Sequence, residues 1–424
     1  MTGDSPLLRP RSPSDLARRC GTAVSAEALA AAGLTVDDVR RRGEAALREH
    51  AQRFGDIEPG EPLVIERAAL TRALDALDPG DRERLERVAG RIRAFAEAQR
   101  GSLVDVAVPV PGGMAGHRVL PLDRAGCYAP GGRYSLPSSI LMTAVTAKVA
   151  GVREVWVASP KPARLVLAAA AVAGADAVLA VGGAQAIAAL AYGAGPIPAC
   201  DVVVGPGNRF VTAAKQLVSG TVGIDMLAGP SELVVFADAS ADPGLVAADL
   251  LAQAEHDPEA LPVLVTLDPR LPARVEAELH RQLADLPTAA VARAALGNGG
   301  VVLVATVHEG IAVCDAIAPE HLQLVLESAA AVAPRLSHYG ALFIGAGARE
   351  VLGDYGVGPN HVLPTGGTAR WAAGLSVLTF LRLRTWLRVD GPAADPLRAD
   401  AAWFGRAEGL EAHARAAEGW GTRR

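Results

Sequence analysis

The stretch that decides the fold spans residues 154–190 and reads EVWVASPKPARLVLAAAAVAGADAVLAVGGAQAIAAL. Two short apolar runs, at 154–158 and 177–181, are typical of buried strands, and the alanine-rich run at 163–173 between them predicts a helix. A strand, a helix and a second strand in this order form the unit of a parallel sheet. We therefore expect a doubly wound α/β arrangement around this stretch.

The same alternation continues along the chain. The first series goes on with a helix at 184–192, a strand at 201–204, a helix at 210–218 and a final strand at 233–236. In a second series, strands are predicted at 261–267, 301–305, 322–326 and 341–344, with helices between them. Two halves of similar design favour a duplication, although no register of identical residues demonstrates it.

The flanking segments differ from these two series. Residues 12–100 are predicted to be helical, and strands at 104–110 and 117–120 lie on either side of a Pro-Gly-Gly turn. The segment after Thr379 is arginine-rich, then alanine-rich and helical, and it is too short to hold its own core. The predicted fold class is α/β, with two doubly wound, Rossmann-like parallel-sheet domains, a helical N-terminal region and a small helical C-terminal tail. The predicted ranges are 1–122, 123–237, 238–376 and 377–424.

Composition limits the classes of partner. The chain has 424 residues, which exceeds the size at which a single core keeps growing, and 50% of them are hydrophobic. A formal net charge of −5 gives no electrostatic basis for binding nucleic acid or anionic lipid. The apolar stretch 165–200 contains one charged residue, Asp176, but glycine and proline interrupt it, so no membrane crossing is expected. Small molecules and other subunits are the expected partners.

Cysteine usage and the N-terminus indicate a cytoplasmic protein. The four cysteines lie far apart in the sequence, at Cys20, Cys127, Cys200 and Cys314. The N-terminus lacks the apolar core of a signal peptide. No sequence neighbour of Cys127 would lower the pKa of its thiol, so a packing role is favoured over a nucleophilic one.

Candidate metal ligands occur in three separate segments. One is Gln253-Ala-Glu-His256, which follows the apolar run 245–251 and is predicted to lie on a helix. Positions i and i+3 share a helix face, so Gln253 and His256 would converge. Asp354 and His413 could complete a nitrogen and oxygen ligand set for a divalent cation, with zinc favoured over manganese. Taken alone, a helical histidine is more often a surface or core residue than a ligand.

The adjacent Glu320 and His321 supply an acid and a base. A histidine can accept a proton from an alcohol near neutrality, and a neighbouring carboxylate can activate water. The alternative is an exposed polar turn before the next strand. The glycine-rich loop 353–361 holds both Asp354 and His361, and it is typical of a loop that surrounds a ligand.

Two glycine turns are candidates for ligand contact. The sequence Gly205-Pro-Gly-Asn208 precedes a helix and could hold a pyrophosphate, although Phe210 stands where a dinucleotide fingerprint has its third glycine. The turn at 131–132 would let the backbone approach a ligand beside Tyr128, whose ring could stack on it. Plain tight turns remain the alternative for both.

Taken together, these motifs resemble the L-histidinol dehydrogenase family. The resemblance runs from about residue 95 to His413 and covers long, specific segments at 126–132, 182–187, 205–208, 214–215 and 223–232, with those around His256, His321, Asp354 and His413. It implies a zinc-dependent oxidoreductase that converts L-histidinol to L-histidine through a retained aldehyde, with two NAD+ reduced. It also implies a homodimer with a shared active site and one zinc per subunit.

The resemblance assigns roles to individual residues. His321 would take the alcohol proton, and Glu320 would activate the water that adds to the aldehyde. The implied metal ligands are Gln253, His256, Asp354 and His413, the last supplied by the partner subunit. The implied cofactor contacts are Tyr128, Gln185 and Asn208. The implied substrate contacts are Ser231, Gln253, His256, His321, Asp354, His361, Glu408 and His413.

Three alternatives share parts of this pattern. The first is a paralogous NAD-dependent dehydrogenase of another small alcohol, such as a sulfonated diol, which we expect to lack residues that bind the imidazole and amine. The second is a zinc hydrolase in which Glu320 activates water on an amide. The third is a non-catalytic paralogue with a structural metal, against which the intact Glu320–His321 pair argues. One departure from the family pattern is Trp386-Leu387, which bears on how the tail docks.

Overall fold

The computed structural model describes residues 6–19, 24–131 and 135–419. The chain divides into two compact units. The first comprises Met1–Ala98 and Leu122–Phe380, and the second comprises Gln99–Pro121 and Leu381–Arg424. The domain ranges predicted from sequence assign residues by sheet, whereas the two units are defined by their compactness. Those ranges stay a prediction.

The β-strands of the described residues are numbered in chain order. They are β1 (Val64–Glu66), β2 (Val106–Val110), β3 (Gly113–Pro121), β4 (Arg124–Tyr128), β5 (Glu154–Ala158), β6 (Ala177–Leu179), β7 (Val202–Val204), β8 (Gly223–Ile224), β9 (Glu232–Ala237), β10 (Leu261–Thr266), β11 (Gly300–Leu303), β12 (His321–Val325), β13 (Ala341–Ile344) and β14 (Leu381–Val389).

The α-helices are numbered in the same way. They are α1 (Pro13–Arg19), α2 (Ala26–Arg42), α3 (Glu44–Arg53), α4 (Arg67–Asp75), α5 (Pro79–Gly101), α6 (Pro137–Ile140), α7 (Thr146–Ala150), α8 (Arg164–Ala173), α9 (Gly183–Tyr192), α10 (Arg209–Val218), α11 (Pro243–Ala254), α12 (Leu271–Leu283), α13 (Ala289–Leu296), α14 (Val307–Ile317), α15 (Ala329–Val332), α16 (Glu350–Asp354), α17 (Asp395–Ala407) and α18 (Glu411–Glu418). A π-helical segment, Leu141–Val145, joins α6 to α7.

The first sheet of the first unit has the order β1-β6-β5-β4-β7-β8. All its pairs are parallel except β1 with β6. The strands predicted at 154–158, 177–181 and 201–204 are confirmed. Sequence patterns do not predict β4, because Gly126 interrupts its apolar run; a Cβ at that position would lie 2.9 Å from Cδ1 of Leu190 on α9. The glycine therefore lets a helix pack closely on this strand.

The second sheet has the order β11-β10-β9-β12-β13 and is parallel throughout. Its four later strands confirm the second predicted series. The expectation that a strand at 233–236 ends the first series is wrong, because β9 pairs with both β10 and β12 at the centre of the second sheet. All six residues of β9 are buried, which requires a helical layer on each face, and α11 and α14 pack against it.

The two sheets share one doubly wound topology. In each, the first parallel strand in sequence is central, the next two lie on one side of it and the last two lie on the other. The common order supports the duplication hypothesis, and the predicted pair of doubly wound sheets is confirmed.

Helices of the N-terminal region complete the first core. The predicted helical character of 12–100 is confirmed for the described residues of that range, apart from the edge strand β1. Ser25 caps α2, with its side chain accepting a hydrogen bond from the backbone N–H of Ala28 at 3.1 Å. The apolar face of α2 packs against α9 and α10.

The second unit contains a three-stranded antiparallel sheet of order β14-β3-β2 and the helices α17 and α18. The arginine-rich part of the tail, for which the sequence predicted no strand, forms β14. Arg406 on α17 binds both carboxylate oxygens of Glu418 on α18, each at 2.7 Å. Among the helices that the structure describes, none is both long and apolar enough to cross a membrane.

Candidate active site

The predicted cofactor residues lie at the carboxyl end of the first sheet. Tyr128 is the last residue of β4, Gln185 lies in the first turn of α9 after β6, and Asn208 precedes α10 after β7. β4 and β7 are neighbours at the point where the strand order reverses, which is where doubly wound sheets bind ligands. Their contact with a cofactor stays a prediction.

The turn after β6 is fixed by side chains on both sides. The Tyr128 hydroxyl accepts a hydrogen bond from the backbone N–H of Gly183 at 3.1 Å, and burial raises the pKa of that phenol to about 12. Asp56, which the sequence reading missed, accepts from the backbone N–H of Gly182 at 2.9 Å and from Gln185 Nε2 at 3.3 Å. Burial raises the pKa of Asp56. No pattern in the sequence connects this residue to a turn so distant along the chain.

The loop after β7 is held by a buried ion pair. Lys215 and Asp225 pair within the core, Lys215 Nζ donates to the Gly205 carbonyl at 3.0 Å, and the Gly205 N–H donates to Asp225 Oδ2 at 2.7 Å. Asn208 Oδ1 accepts from the N–H groups of Phe210 and Val211 at 3.0 and 3.2 Å, so it caps α10. These bonds therefore hold the loop in one conformation without a ligand.

Two further sequence expectations concern this end of the sheet. In the predicted turn at 131–132, Gly131 lies so close to the Pro160 carbonyl oxygen that a Cβ would stand 2.6 Å from it, while Gly132 lies outside the described residues.

Cys127 is buried and forms no disulfide, and desolvation raises the pKa of its thiol to about 12, which supports the packing role. Cys20 also lies outside the described residues.

The acid and base pair, Glu320 and His321, lies in the second sheet, at the amino end of its strands. Glu320 immediately precedes β12 and His321 begins it, and both side chains are buried, which excludes the exposed turn. Glu320 Oε2 accepts from the Glu232 N–H at 3.0 Å, and the Glu320 N–H donates to Glu232 Oε2 at 3.3 Å. His321 Nδ1 lies 3.2 Å from the Glu232 carbonyl oxygen. Neighbouring Ser231, a predicted substrate contact, precedes β9 at the same amino end.

Burial moves the pKa values of this pair in opposite senses. Desolvation raises the pKa of Glu320 well above its ordinary value, and the nearby carboxylates of Glu232, Asp354 and Glu350 add to the rise. Desolvation lowers the pKa of His321 to about 4. The imidazole is therefore neutral at neutral pH, and Glu320 holds a proton more readily than a free carboxyl group does.

The predicted ligands Gln253 and His256 lie at the end of α11. The helix ends at Ala254, so the expectation that both residues lie on a helix is wrong for His256, which is two residues beyond it. Asp257 precedes a proline, and this disfavours helical backbone there. The His256 N–H still bonds the Gln253 carbonyl at 3.4 Å, and His256 Nε2 lies 3.7 Å from Asp354 Oδ2.

Glu350 is a site residue that the sequence reading missed. It begins α16, it is fully buried, and its Oε1 lies 3.8 Å from His321 Nε2. Burial, followed by the charges of Asp354 and Asp249, raises its pKa to about 8. One ligand atom from each of His321, Glu350 and Asp354 can be chosen so that all three lie within 4.8 Å of one another. The sequence offers no signal for it, because a lone Arg-Glu dipeptide in a glycine-rich segment is ordinary.

These residues fit a divalent cation. Gln253 is completely buried, yet neither its Oε1 nor its Nε2 has a hydrogen-bond partner within the described part of the chain. Both carboxylate oxygens of Glu350 are likewise without one in that part. Buried polar atoms without partners are costly unless a ligand satisfies them. Carboxylate, amide and imidazole groups together form a ligand set that suits zinc.

The loop that carries His361 is held in place through both ring nitrogen atoms of that histidine. His361 Nδ1 lies 2.9 Å from the Asp354 carbonyl oxygen, and Nε2 lies 3.4 Å from Ser139 Oγ. Asn360 Nδ2 donates to the Met142 carbonyl in the π-helical segment at 2.8 Å. Burial lowers the pKa of His361, so its imidazole is neutral near neutrality. His361 thus belongs to the same cluster as Asp354.

The last two predicted site residues belong to the second unit. Glu408 follows α17, and His413 lies on α18. Both side chains are exposed. Their assignment as a substrate contact and a metal ligand stays a prediction.

The fold and the site are typical of an α/β oxidoreductase. The fold has two doubly wound sheets, with a hydrogen-bonded loop at one switch point. The site has a buried acid and base pair beside Glu350 and Asp354. Comparison with known proteins specifies the family. The family model described as histidinol dehydrogenase matches residues 21–419. The chain belongs to the histidinol dehydrogenase family, and it is an oxidoreductase enzyme of histidine biosynthesis.

Individual relatives agree with this assignment. The histidinol dehydrogenase of Thermus thermophilus is 50% identical over 383 residues, which is 90% of this chain and 91% of the relative. That of Ralstonia nicotianae is 45% identical over 398 residues, covering 92% and 90% of the two chains. A crystal structure of histidinol dehydrogenase from Elizabethkingia anophelis superposes with a TM-score of 0.90 at 27% identity, covering 98% of each chain. The hydrolase and non-catalytic alternatives are not supported by these relatives.

Proposed function

We propose that this enzyme converts L-histidinol to L-histidine in two successive NAD+-dependent oxidations, with a zinc ion at its active site. Family membership supports the substrate. The observation that carries the chemistry is the buried Glu320–His321 pair, held by Glu232 at the amino end of β12 beside Asp354 and Glu350. A base and a carboxyl group kept from water are what proton removal from an alcohol and hydration of an aldehyde require.

His321 would accept the alcohol proton in the first oxidation. The Glu232 carbonyl can only accept a hydrogen bond, so His321 Nδ1 carries the proton and Nε2 holds the free lone pair. The low pKa of the imidazole keeps this lone pair available at neutral pH. His321 would accept a second proton as the second hydride leaves.

Glu320 would activate the water that adds to the retained aldehyde. Its raised pKa makes the carboxylate a stronger base than a free glutamate, and base strength near the working pH favours proton transfer. The hydrogen bond from the Glu232 N–H fixes one carboxylate oxygen, which leaves the other to bind water.

Gln253, His256 and Asp354 would hold the zinc ion, with His413 supplied by the partner subunit of a homodimer; manganese is the alternative metal. When bound, the ion would fix the amine and imidazole of the substrate and so orient the reacting carbon. Ser231, His361 and Glu408 would add substrate contacts. Exposed Trp403 and Phe404 on α17 support a subunit interface for the tail.

Tyr128, Gln185 and Asn208 would contact NAD+ at the carboxyl end of the first sheet. The loop 205–208 and the turn after β6 are both fixed by hydrogen bonds before a ligand binds, which lowers the entropic cost of binding. We infer a cytoplasmic location from the cysteine pattern and the reaction.

The direct test supplies zinc-loaded protein with L-histidinol and excess NAD+. We expect about two NADH for each L-histidinol consumed, with L-histidine as the product. Unrelated primary alcohols, including a sulfonated diol, serve as controls and should be oxidised far more slowly. Absence of NADH formation, or equal turnover of the control alcohols, would contradict the proposal.

A further inference from the structure

A buried aspartate on α11 connects the three elements that carry Gln253, His321 and the pair Glu350 and Asp354. Asp249 is 1% exposed and lies one helical turn before Gln253. Its Oδ2 accepts a hydrogen bond from Gln323 Nε2 at 2.9 Å. Its Oδ1 accepts from Arg349 Nε at 2.7 Å and lies 2.6 Å from Arg349 Nη2. Asp249, Gln323 and Arg349 are called the Asp249 network below.

Each partner of Asp249 is next to a residue of the site. Gln323 lies two residues after His321 on β12, so the two side chains are on the same face of the sheet. Arg349 immediately precedes Glu350 and the short helix α16, which ends at Asp354. One carboxylate therefore ties α11, β12 and α16 together.

The hydrogen bonds of the Asp249 network are strong because their acceptor is a carboxylate. An arginine that donates to a buried carboxylate makes charge-assisted hydrogen bonds with a fixed direction. Arg349 Nη2 also donates to the Leu245 carbonyl on α11 at 2.8 Å, so α16 is anchored to α11 at two points. Gln323 Oε1 has no hydrogen-bond partner in the described residues, which leaves Asp249 as the group that orients this amide.

We propose that Asp249 is a positioning residue that sets the relative placement of Gln253, His321 and the α16 residues Glu350 and Asp354. It touches neither substrate nor cofactor, and it acts through Gln323 and Arg349. The role extends the proposed function and rests on its metal site. Outer residues that orient metal ligands typically change metal affinity or activity by about 10–100-fold when they are altered.

The principal variant is Asp249→Asn in the full-length protein. Asparagine keeps the size of the side chain but removes the charge that Arg349 binds. It also puts an amide nitrogen, which cannot accept from Gln323 Nε2 or Arg349, in place of one carboxylate oxygen, so both acceptor bonds of Asp249 cannot remain as they are in the wild type. Arg349→Lys is a milder second variant, because lysine keeps the charge but loses the fork of donors.

Asp268→Asn is the matched control. Asp268 is also buried and also accepts from an arginine, with Arg270 Nε at 3.2 Å, but it follows β10 at the opposite, carboxyl end of the same sheet. If the effect of Asp249→Asn were only general destabilisation, the control would share it.

Two measurements are made on each protein after removal of metal. The first is the Kd for zinc by calorimetric titration, and we expect Asp249→Asn to weaken it by about 10–100-fold, Arg349→Lys by less, and Asp268→Asn by less than about threefold. The second is amide hydrogen exchange, and we expect faster exchange at 249–256 and 350–354 in Asp249→Asn but not in Asp268→Asn.

The outcomes separate this inference from the proposed function. An unchanged zinc Kd and unchanged exchange in a folded Asp249→Asn protein would overturn the positioning role. Equal weakening in Asp268→Asn would do the same. If the parent protein bound no zinc, the proposed metal site would fail, while the exchange pattern would still decide whether the Asp249 network holds α11 and α16.

Discussion

The first sheet has its candidate cofactor residues at its carboxyl end, whereas the second sheet, with the same strand order, has its acid and base pair at its amino end. In the first sheet, the ends of β4 and β7 lead into loops that precede helices. In the second, the equivalent ends of β9 and β12 are joined by the protein itself, because Asp238 Oδ2 accepts from the Glu327 N–H at 2.9 Å. The shared topology places one switch point in each sheet, and the residues that stand at that point differ between the two sheets.

The amino end of the second sheet differs in a second respect. It collects buried groups with unmet hydrogen-bonding needs, Gln253 and Glu350, where the first sheet has satisfied ones. The carboxyl end of the first sheet, where the polar groups are already hydrogen-bonded, suits a ligand that is bound mainly by shape and backbone contacts. A polar cluster with unsatisfied atoms suits an ion and the chemistry that it orients.

The largest expected effect is that of His321→Asn on the second sheet. Removing the proton acceptor should lower kcat for L-histidinol oxidation by about 10²–10⁴-fold, the usual contribution of a positioned base. Steady-state NADH formation measures it, with the thermal midpoint as a check on folding. If kcat fell less than about tenfold, the amino end of β12 would not be the catalytic end.

Glu320→Gln should separate the two oxidations. We expect aldehyde oxidation to fall by about 100-fold, since water activation is lost, and alcohol oxidation to fall by less than about tenfold. Supplying L-histidinol and its aldehyde in separate assays measures each step. Equal losses in both assays would refute the division of roles between Glu320 and His321.

A third prediction concerns pH and Glu350 in metal-free protein. Its folded pKa, raised to about 8 by burial, exceeds the ordinary value of 4.5, so folding favours the protonated form. That contribution is present below about pH 4.5 and is lost as pH rises through 8. The stability of the wild type relative to Glu350→Gln should therefore fall between pH 5 and 8, by an amount on the order of a few kcal/mol.

Chemical denaturation at a series of pH values checks this expectation. The control is Glu278→Gln on α12, where Arg281 lowers the carboxyl pKa, so the group is ionised throughout that range. A stability difference for Glu350→Gln that does not vary with pH would show that its carboxyl group is not held in a dry site.

The smallest effect is expected at the first sheet. Asn208→Ala should raise the KM for NAD+ by about tenfold with little change in kcat, and loss of the α10 cap should cost about 1 kcal/mol of stability. Ser25→Ala removes the cap of α2 at a similar stability cost, and it should leave the KM for NAD+ unchanged. If Asn208→Ala and Ser25→Ala had the same KM for NAD+, Asn208 would be only a helix cap.

The parallel sheets could be predicted because their strands are short apolar runs separated by helices, as at 154–158 and 177–181. β4 could not, because its glycine is explained only by Leu190 on a helix packed above it. The placement of β9 could not either, since a strand pattern does not say which neighbours it pairs with. Pairing of β9 with β10 and β12 depends on contacts distant in sequence.

Prediction of the site shows the same division. Glu320, His321 and Asp354 are predicted as site residues because their residue types lie in informative local segments, and the structure brings them close together. Asp56, Asp249 and Glu350 were missed, because each is an ordinary acidic residue in sequence. Their surroundings become visible only when loops, helices and strands from separate parts of the chain are brought together.

The most direct test is X-ray diffraction at the zinc absorption edge, from crystals of the protein grown with zinc and L-histidinol. The account predicts an anomalous peak beside Gln253, His256 and Asp354, with metal–ligand distances of about 2.0–2.2 Å. No zinc peak there, or a single peak beside Asp238 at the carboxyl end of the second sheet, would contradict it.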